Sequence, residues 1–260
     1  MTPEVERCEV ADRHDPAIAA FVSLRDPVLR NEFGCFVAEG PDVLAQAIAL
    51  GLEIVSALID SRHPTPAGLP TNCSVLAASP KLIGEITGLG VHRGVLALLR
   101  RPPERTLDEV LADARRLVVL EGVGNPVNVG LISRSAAGLG FDALLVDSTS
   151  ADPLYRRAVT ASRGATMHLP WVRITSATEA LGGQGFLTVA LTPDPAAADL
   201  RTIGLAHHER VALLVGTEGM GLGPTTLATA DVRARIPMAR GIDSLNVATA
   251  TAIACWELIR

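Results

Sequence analysis

Residues 117–120, Leu-Val-Val-Leu, run directly into Glu121-Gly122-Val123-Gly124-Asn125-Pro126-Val127-Asn128-Val129-Gly130-Leu131-Ile132-Ser133-Arg134, and this junction constrains the fold more than any other stretch of the chain. The short apolar run ended by glycines predicts a buried strand, and Leu131, Ile132, Ala136 and Leu139 then recur near helical spacing. A strand that turns straight into a helix is the repeating unit of a parallel α/β sheet, and such sheets take ligands at the carboxyl ends of their strands. Two amides, and an arginine that the pattern puts on the buried side of the helix, are not needed by an ordinary core. A ligand or substrate is therefore expected at this turn.

The same alternation extends along the chain. Strands are predicted at 33–38, 54–59, 73–77 and 95–100, with helices at 41–50, begun by Pro41 and closed by Gly51, and at 80–86. Further strands are predicted at 117–120, 143–146, 187–191, 211–215 and 232–236. Residues 245–259 carry Leu245, Ala248, Ala252, Trp256 and Ile259 along one stripe, predicting a terminal helix that packs on the sheet or on another subunit. Aromatic residues make up only 3% of a chain that is 48% hydrophobic, so the core must come mainly from Ala, Val, Leu and Ile, as suits parallel strands covered by helices. The polar, proline-marked stretch after Arg101-Pro102-Pro103 divides the chain into a domain at 1–103, a linker at 104–115 and a domain at 116–260.

Several function classes are excluded at this level. A net charge of −5 argues against a surface that simply coats nucleic acid, although Arg100-Arg101, Arg115-Arg116 and Arg156-Arg157 are local basic doublets in a chain whose only lysine is Lys81. Cys8, Cys35, Cys73 and Cys255 are dispersed without metal-ligand spacing, and His207-His208 and the other four histidines have no convergent partners, so no metal is expected. Dispersed thiols and a polar, acidic N-terminus predict a cytoplasmic protein without a membrane segment. Gly122-x-Gly124 followed by Asp147 imitates a dinucleotide fingerprint, but Val127 occupies the third glycine position, Pro126 stiffens the turn and Arg134 has no role in that scheme.

Three segments at predicted strand ends concentrate unusual residues. They are the Asn125–Arg134 turn, Gly216-Thr217-Glu218-Gly219-Met220-Gly221-Leu222-Gly223, and Ile236-Pro237-Met238 followed by Gly241-Ile242-Asp243-Ser244-Leu245-Asn246. Each alone has an ordinary structural explanation: glycine runs make turns, Asn before Pro forms turns, and Ser244 is placed to cap the last helix. Ser162-Arg163-Gly164-Ala165 likewise reads as the end of a helix that begins near Pro153, with Gly164 as its left-handed C′ residue.

Together and in this order, Asn125-Pro-x-Asn128-x-Gly130-x-x-x-Arg134, Ser162-Arg163-Gly164-Ala165, Gly216-Thr-Glu218-Gly219, Ile236-Pro237-Met238 and Ser244-Leu245-Asn246-Val247 closely resemble the SpoU (TrmH-like) branch of the SPOUT superfamily, the S-adenosylmethionine-dependent RNA 2′-O-ribose methyltransferases. Residues 1–103, through Phe36-Val37-Ala38-Glu39-Gly40 and Arg93-Gly94-Val95, resemble more weakly the small ribosomal-protein-like RNA-binding domain found in many members. The resemblance implies an α/β fold: a C-terminal parallel-sheet methyltransferase domain with a deep trefoil knot, a smaller N-terminal α/β RNA-binding domain, and a homodimer formed through the methyltransferase domain. The knot is one that chain physics alone disfavours.

The resemblance further implies a catalytic set of Asn125, Arg134, Glu218, Ser244 and Asn246. It implies an S-adenosylmethionine pocket at Leu191, Gly216, Glu218, Gly219, Ile236, Met238 and Leu245, and RNA contacts at Arg30, Arg156, Arg157 and Arg163. A ribose 2′-hydroxyl attacking a sulfonium methyl needs positioning and loss of one proton, with no metal. A guanidinium is protonated at any accessible pH, so Arg134 is expected to clamp phosphate and stabilise the developing alkoxide rather than act as base. The N-terminal domain favours ribosomal RNA over tRNA as the substrate. The alternatives are a tRNA 2′-O-methyltransferase and a non-catalytic RNA-binding ribosome-assembly factor on the same fold.

Overall fold

A computed structural model describes residues 6–22, 24–89, 94–204 and 208–259. Arg93, His92 and His207, singled out in the sequence, lie outside the described residues. The chain separates into two compact units, Met1–Pro103 with Leu154–Gly164, and Glu104–Pro153 with Ala165–Arg260.

The first unit contains β1 (Arg7–Glu9), α1 (Asp26–Phe33), β2 (Cys35–Glu39), α2 (Pro41–Ala49), β3 (Ile54–Asp60), β4 (Ser74–Ala78), α3 (Pro80–Thr87) and β5 (Val95–Arg100). The sheet order is β1-β4-β3-β5-β2, with β5 antiparallel to both neighbours and the other pairings parallel. Proline at the first turn starts each of the three helices, where its missing N–H goes unneeded. Phe33, read as the start of a strand, ends α1 instead: Gly34 takes the left-handed conformation at φ 59°, and the strand begins one residue later. Phe21, Ile18 and Leu29 close one face of the sheet as fully buried side chains.

The second unit begins with α4 (Leu107–Leu111) and β6 (Arg116–Leu120), followed by α5 (Pro126–Gly138) and β7 (Ala143–Asp147). After β7 the chain forms α6 (Arg156–Ala161), which belongs to the first unit. It then adds α7 (Ala165–His168), β8 (Trp171–Ile174), α8 (Ala177–Leu181), β9 (Leu187–Leu191), β10 (Ala198–Asp199), β11 (Val211–Val215), α9 (Pro224–Thr229), β12 (Val232–Arg235) and α10 (Val247–Leu258). These seven strands form an all-parallel sheet in the order β10-β12-β9-β11-β6-β7-β8. β11 is buried along its whole length and β6 along four of its five residues, the continuous apolar pattern of strands covered on both faces.

Residues 104–115, read as a linker, carry α4. Thr106 and Glu109 close a reciprocal capping box at its start, and Val110 and Leu111 enter the core of the second unit. In α6 the left-handed C′ position is held by Arg163, at φ 52°, and not by Gly164. Arg163 N–H donates to the Thr160 carbonyl and Gly164 N–H to that of Val159, the paired bonds of a Schellman turn. An arginine tolerates this costly conformation with its Nη2 2.8 Å from Asp42 Oδ2. No described helix is long and apolar enough to cross a membrane.

Candidate active site

Asn125 initiates α5. Its extended backbone and its Oδ1, which accepts the Val127 N–H at 3.0 Å, make it the N-cap, with Pro126 at the first helical position. One turn in, Asn128 is only 4% exposed, an expensive site for an amide unless it is fully bonded. Its Nδ2 donates to Glu218 Oε1 at 2.9 Å, and its Oδ1 accepts from Asn246 Nδ2 at 3.2 Å. Asn246 caps α10 through Oδ1, which accepts the Ala248 and Thr249 N–H groups, and this orients its Nδ2 toward Glu218 Oε1 at 2.6 Å. Ser244, placed by the sequence as the cap, instead donates to Asp243 Oδ1 at 3.3 Å, because α10 starts three residues later.

The structure thus unites Asn128, Glu218 and Asn246, separated by 90 and 28 residues in sequence, around one carboxylate oxygen. Asn128 lies within the sequence motif but outside the site residues that the sequence points to. The available signal was a polar, poor helix former on the face of α5 that also carries buried Val129 and Ile132.

The Glu218 loop has a rigid basis. Thr217 and Gly221 exchange N–H···O=C bonds at 3.1 and 3.2 Å, closing a hairpin with Glu218, Gly219 and Met220 at its tip. Gly216 makes that closure possible, since a Cβ there would fall 2.2 Å from the Gly221 carbonyl carbon. Gly122, at φ 71°, abuts the same hairpin: a Cβ on it would come within 2.5 Å of Thr217 Cγ2. At the hairpin's far end, Glu121 accepts from Gly223 N–H and Thr226 Oγ1, tying the end of β6 to the start of α9.

The turn before α5 is fixed from its other side by the loop after β7. Asp147 Oδ1 accepts from Gly122 N–H at 3.1 Å and Ser150 N–H at 2.8 Å, and Oδ2 accepts the Thr149 hydroxyl. Ser150 Oγ accepts the Val123 N–H at 2.8 Å, while Arg173 Nη1 donates to the carbonyls of Asp147 and Ser150. Burial raises the Asp147 carboxyl, but the bonds from Ser150, Thr149 and Gly122 outweigh it and hold the group below its ordinary range. A carboxylate so fully engaged is not free to bind a ribose diol, which removes the dinucleotide reading.

A cavity of about 860 Å³ opens at the carboxyl ends of β9, β11 and β12. Leu191, Gly216, Gly219, Ile236, Met238 and Leu245 line it, as do Glu218, Ser244 and Asn246. Its ionisable lining consists of three carboxylates, on Asp194, Glu218 and Asp243, and one guanidinium, that of Arg235, whose Nε donates to the Ala197 carbonyl. The volume suits a small-molecule cofactor, and the excess of carboxylates suits a cationic one.

Asn125 and Arg134 are not part of this lining. Arg134, expected on the buried side of the helix, is exposed. The buried face of α5 runs through Asn128, Val129, Ile132, Ser133 and Ala136, which turns position 134 outward beside exposed Leu131. Its guanidinium makes no hydrogen bond or ion pair with any described residue. Among the cations read as RNA contacts, Arg156 Nη1 lies 2.7 Å from buried Glu39 and its N–H bonds Asp26, Arg163 pairs with Asp42, Arg157 is exposed, and Arg30 is half-buried in α1. Burial pushes the thiol of Cys73 up to about 11 and that of Cys255 to about 12, so neither is a nucleophile. Among the described residues no three His, Cys, Asp or Glu side chains assemble as metal ligands.

Residues 115–256 match the model of the SpoU rRNA Methylase family. An uncharacterized tRNA/rRNA methyltransferase of Mycobacterium tuberculosis is 40% identical over 271 residues, spanning 97% of this chain and 91% of that protein. The 23S rRNA (guanosine(2553)-2′-O)-methyltransferase of Bacillus subtilis is 26% identical across 88% of this chain and 90% of its own length. The crystal structure of an AdoMet-bound rRNA methyltransferase from Sinorhizobium meliloti superimposes with a TM-score of 0.84 at 27% identity, covering 97% of each chain.

Proposed function

The chain belongs to the SpoU rRNA methylase family, and from that premise we propose that it transfers the methyl group of S-adenosylmethionine to a ribose 2′-hydroxyl of RNA, with ribosomal RNA favoured over tRNA. The observation that carries this reading is the Glu218 carboxylate, bonded by the amides of Asn128 and Asn246 at the wall of the 860 Å³ cavity. The ribosomal preference is supported by the Bacillus subtilis relative, named for 23S rRNA. It also rests on the first unit, which we assign to RNA substrate binding.

S-adenosylmethionine, when bound, supplies a methyl group made electrophilic by its sulfonium. The residues present fit it. Gly216 and Gly219 offer close backbone approach, Leu191, Ile236, Met238 and Leu245 offer apolar contact, and the cavity carboxylates complement a cation. Glu218 Oε1 is taken up by the two amides, and Oε2 is assigned to the acceptor. In the proposed reaction the 2′-oxygen forms a bond to the methyl carbon as the carbon–sulfur bond breaks, and the hydroxyl proton passes to water or to Glu218 Oε2. Arg134, exposed and unpaired among the described residues, clamps the target phosphate and stabilises negative charge developing on the oxygen. Asn125, at the start of α5, and Ser244, in the loop before α10, complete the set.

Three finer features belong to this proposal: a deep trefoil knot formed by the segments after β11 and β12, a homodimer through the second unit, and RNA contacts from Arg30, Arg156, Arg157 and Arg163. The test is transfer of labelled methyl from S-adenosylmethionine to separately purified, unmodified ribosomal RNA and tRNA, by the native protein and by Arg134→Ala. Label on ribosomal RNA, resistant to alkali at one linkage and absent with the variant, is the expected result. Label confined to tRNA would replace the substrate, and absence of label despite cofactor binding would favour the non-catalytic assembly factor.

A further inference from the structure

Met220 is 94% exposed, an unusual state for a thioether side chain that gains by leaving water. It is not on a loose loop. The hydrogen-bonded Thr217–Gly221 pair closes the hairpin directly beneath it, and Glu218, two residues before it, is fixed by two amides. The flanking Gly219 and Gly221 line the cavity, so the hairpin tip stands at the cavity's rim. A second exposed apolar side chain, Ile242 at 58%, lines the same cavity from the loop before α10.

Charge decides what such a rim can receive. With three carboxylates and one engaged guanidinium in its lining, the cavity disfavours phosphate, so its walls are not built for the RNA backbone. It can accept an uncharged, flat, apolar-faced group held close to Glu218, and the part of an RNA acceptor with that chemistry is the base attached to the reacting ribose. An unstacked base of single-stranded RNA presents a flat ring face, and an unbranched thioether makes favourable contacts with such rings and adapts to any base.

We propose that Met220 is a substrate-positioning residue which, with Ile242 of the same cavity, seats the unstacked base of the acceptor nucleotide and so sets its 2′-hydroxyl against Glu218. This inference rests on the RNA methyl-transfer reading. Because Met220 is solvent-exposed, its replacement leaves the core untouched. Met220→Ser is expected to raise KM for unmodified ribosomal RNA about five- to tenfold, the loss of one thioether–ring contact, with S-adenosylmethionine affinity by calorimetry unchanged and Met220→Leu recovering most of the loss. An unchanged KM in Met220→Ser overturns the proposal. So does weakened cofactor binding, which would make Met220 a cover for the cofactor, or a changed sedimentation coefficient, which would make it a contact with a second copy. Failure of the native protein to methylate any RNA removes the underlying reading, a result distinct from an active native enzyme indifferent to Met220.

Discussion

At the scale of single residues, the site depends on amides whose orientation is set by bonds they make elsewhere. Asn246 directs Nδ2 at Glu218 because Oδ1 is committed to the first N–H groups of α10, and Asn128 is fixed by bonding both Glu218 and Asn246. Asn128→Ala removes one of the two donors to Glu218 Oε1 while placing a good helix former in α5. Methyl transfer is expected to fall about 10- to 100-fold, the range for losing an outer partner that orients a functional group, with cofactor affinity kept; a loss confined to cofactor affinity would place Asn128 in the pocket instead. Asp60, buried at the end of β3, supplies a separate test in the first unit. The Arg62 side chain donates to its carboxylate and, against the opposing effect of burial, holds its pKa down at about 2. A depressed carboxyl pKa stabilises the fold above the unfolded value of about 3.9 and loses that stabilisation as pH falls toward the folded value. Native protein is therefore expected to melt above Asp60→Asn at pH 6, and the gap to narrow between pH 4 and pH 2; a gap independent of pH would mean the variant acts through packing.

At the scale of elements, two loops meet through a glycine and a methyl group. Gly122→Ala puts a Cβ 2.5 Å from Thr217 Cγ2 and asks a side chain to adopt φ 71°. It is expected to lower Tm and weaken S-adenosylmethionine binding by displacing the Thr217–Gly221 hairpin. Adding Thr217→Ser removes the clashing methyl, so the double variant should recover cofactor affinity while keeping the left-handed strain of about 1–2 kcal/mol. No recovery would show that strain alone governs the junction. The strand-to-helix junction and the central strands were legible in the sequence because strands buried on both faces are continuous apolar runs, as in β11. The sheet edges were not. β8 alternates half-buried and buried residues at one edge, and β10, at the other, has two residues, so neither makes such a run. The stripe read in the last helix coincides with its buried side only at Ala248. α10 is apolar nearly all round, and it buries Val247, Ala248, Thr251, Ala254, Cys255 and Leu258, whereas Leu245, Trp256 and Ile259 of the stripe stay partly exposed. The site motifs were readable, but the joining of Asn128 to Glu218 depends on contacts 90 residues apart that local pattern does not encode.

At the scale of the whole molecule, the unburied side of α10 has a consequence for assembly. Ile253 is 37% exposed on α10, Ile259 follows it, and Leu131 is exposed on α5, the helix against which α10 packs. Large apolar side chains left open to solvent on two packed helices are surface that a partner can cover, and a two-fold axis lets such a face cover its own copy. We assign this face to the proposed homodimer. Arg134 lies three residues beyond Leu131, on the same side of α5, so pairing through this face would also set the surroundings of the residue proposed to hold the target phosphate. Ile253→Asp tests both points, because residue 253 is outside the cavity lining and already open to solvent in the single chain. Sedimentation velocity should show a dimer for the native protein and a monomer of unchanged far-ultraviolet circular dichroism for the variant. Methyl transfer should fall with dimer content and recover at protein concentrations that restore association. A variant that sediments as a dimer would exclude this face as the interface, whereas a fully active monomer would show that Arg134 needs nothing from a second chain.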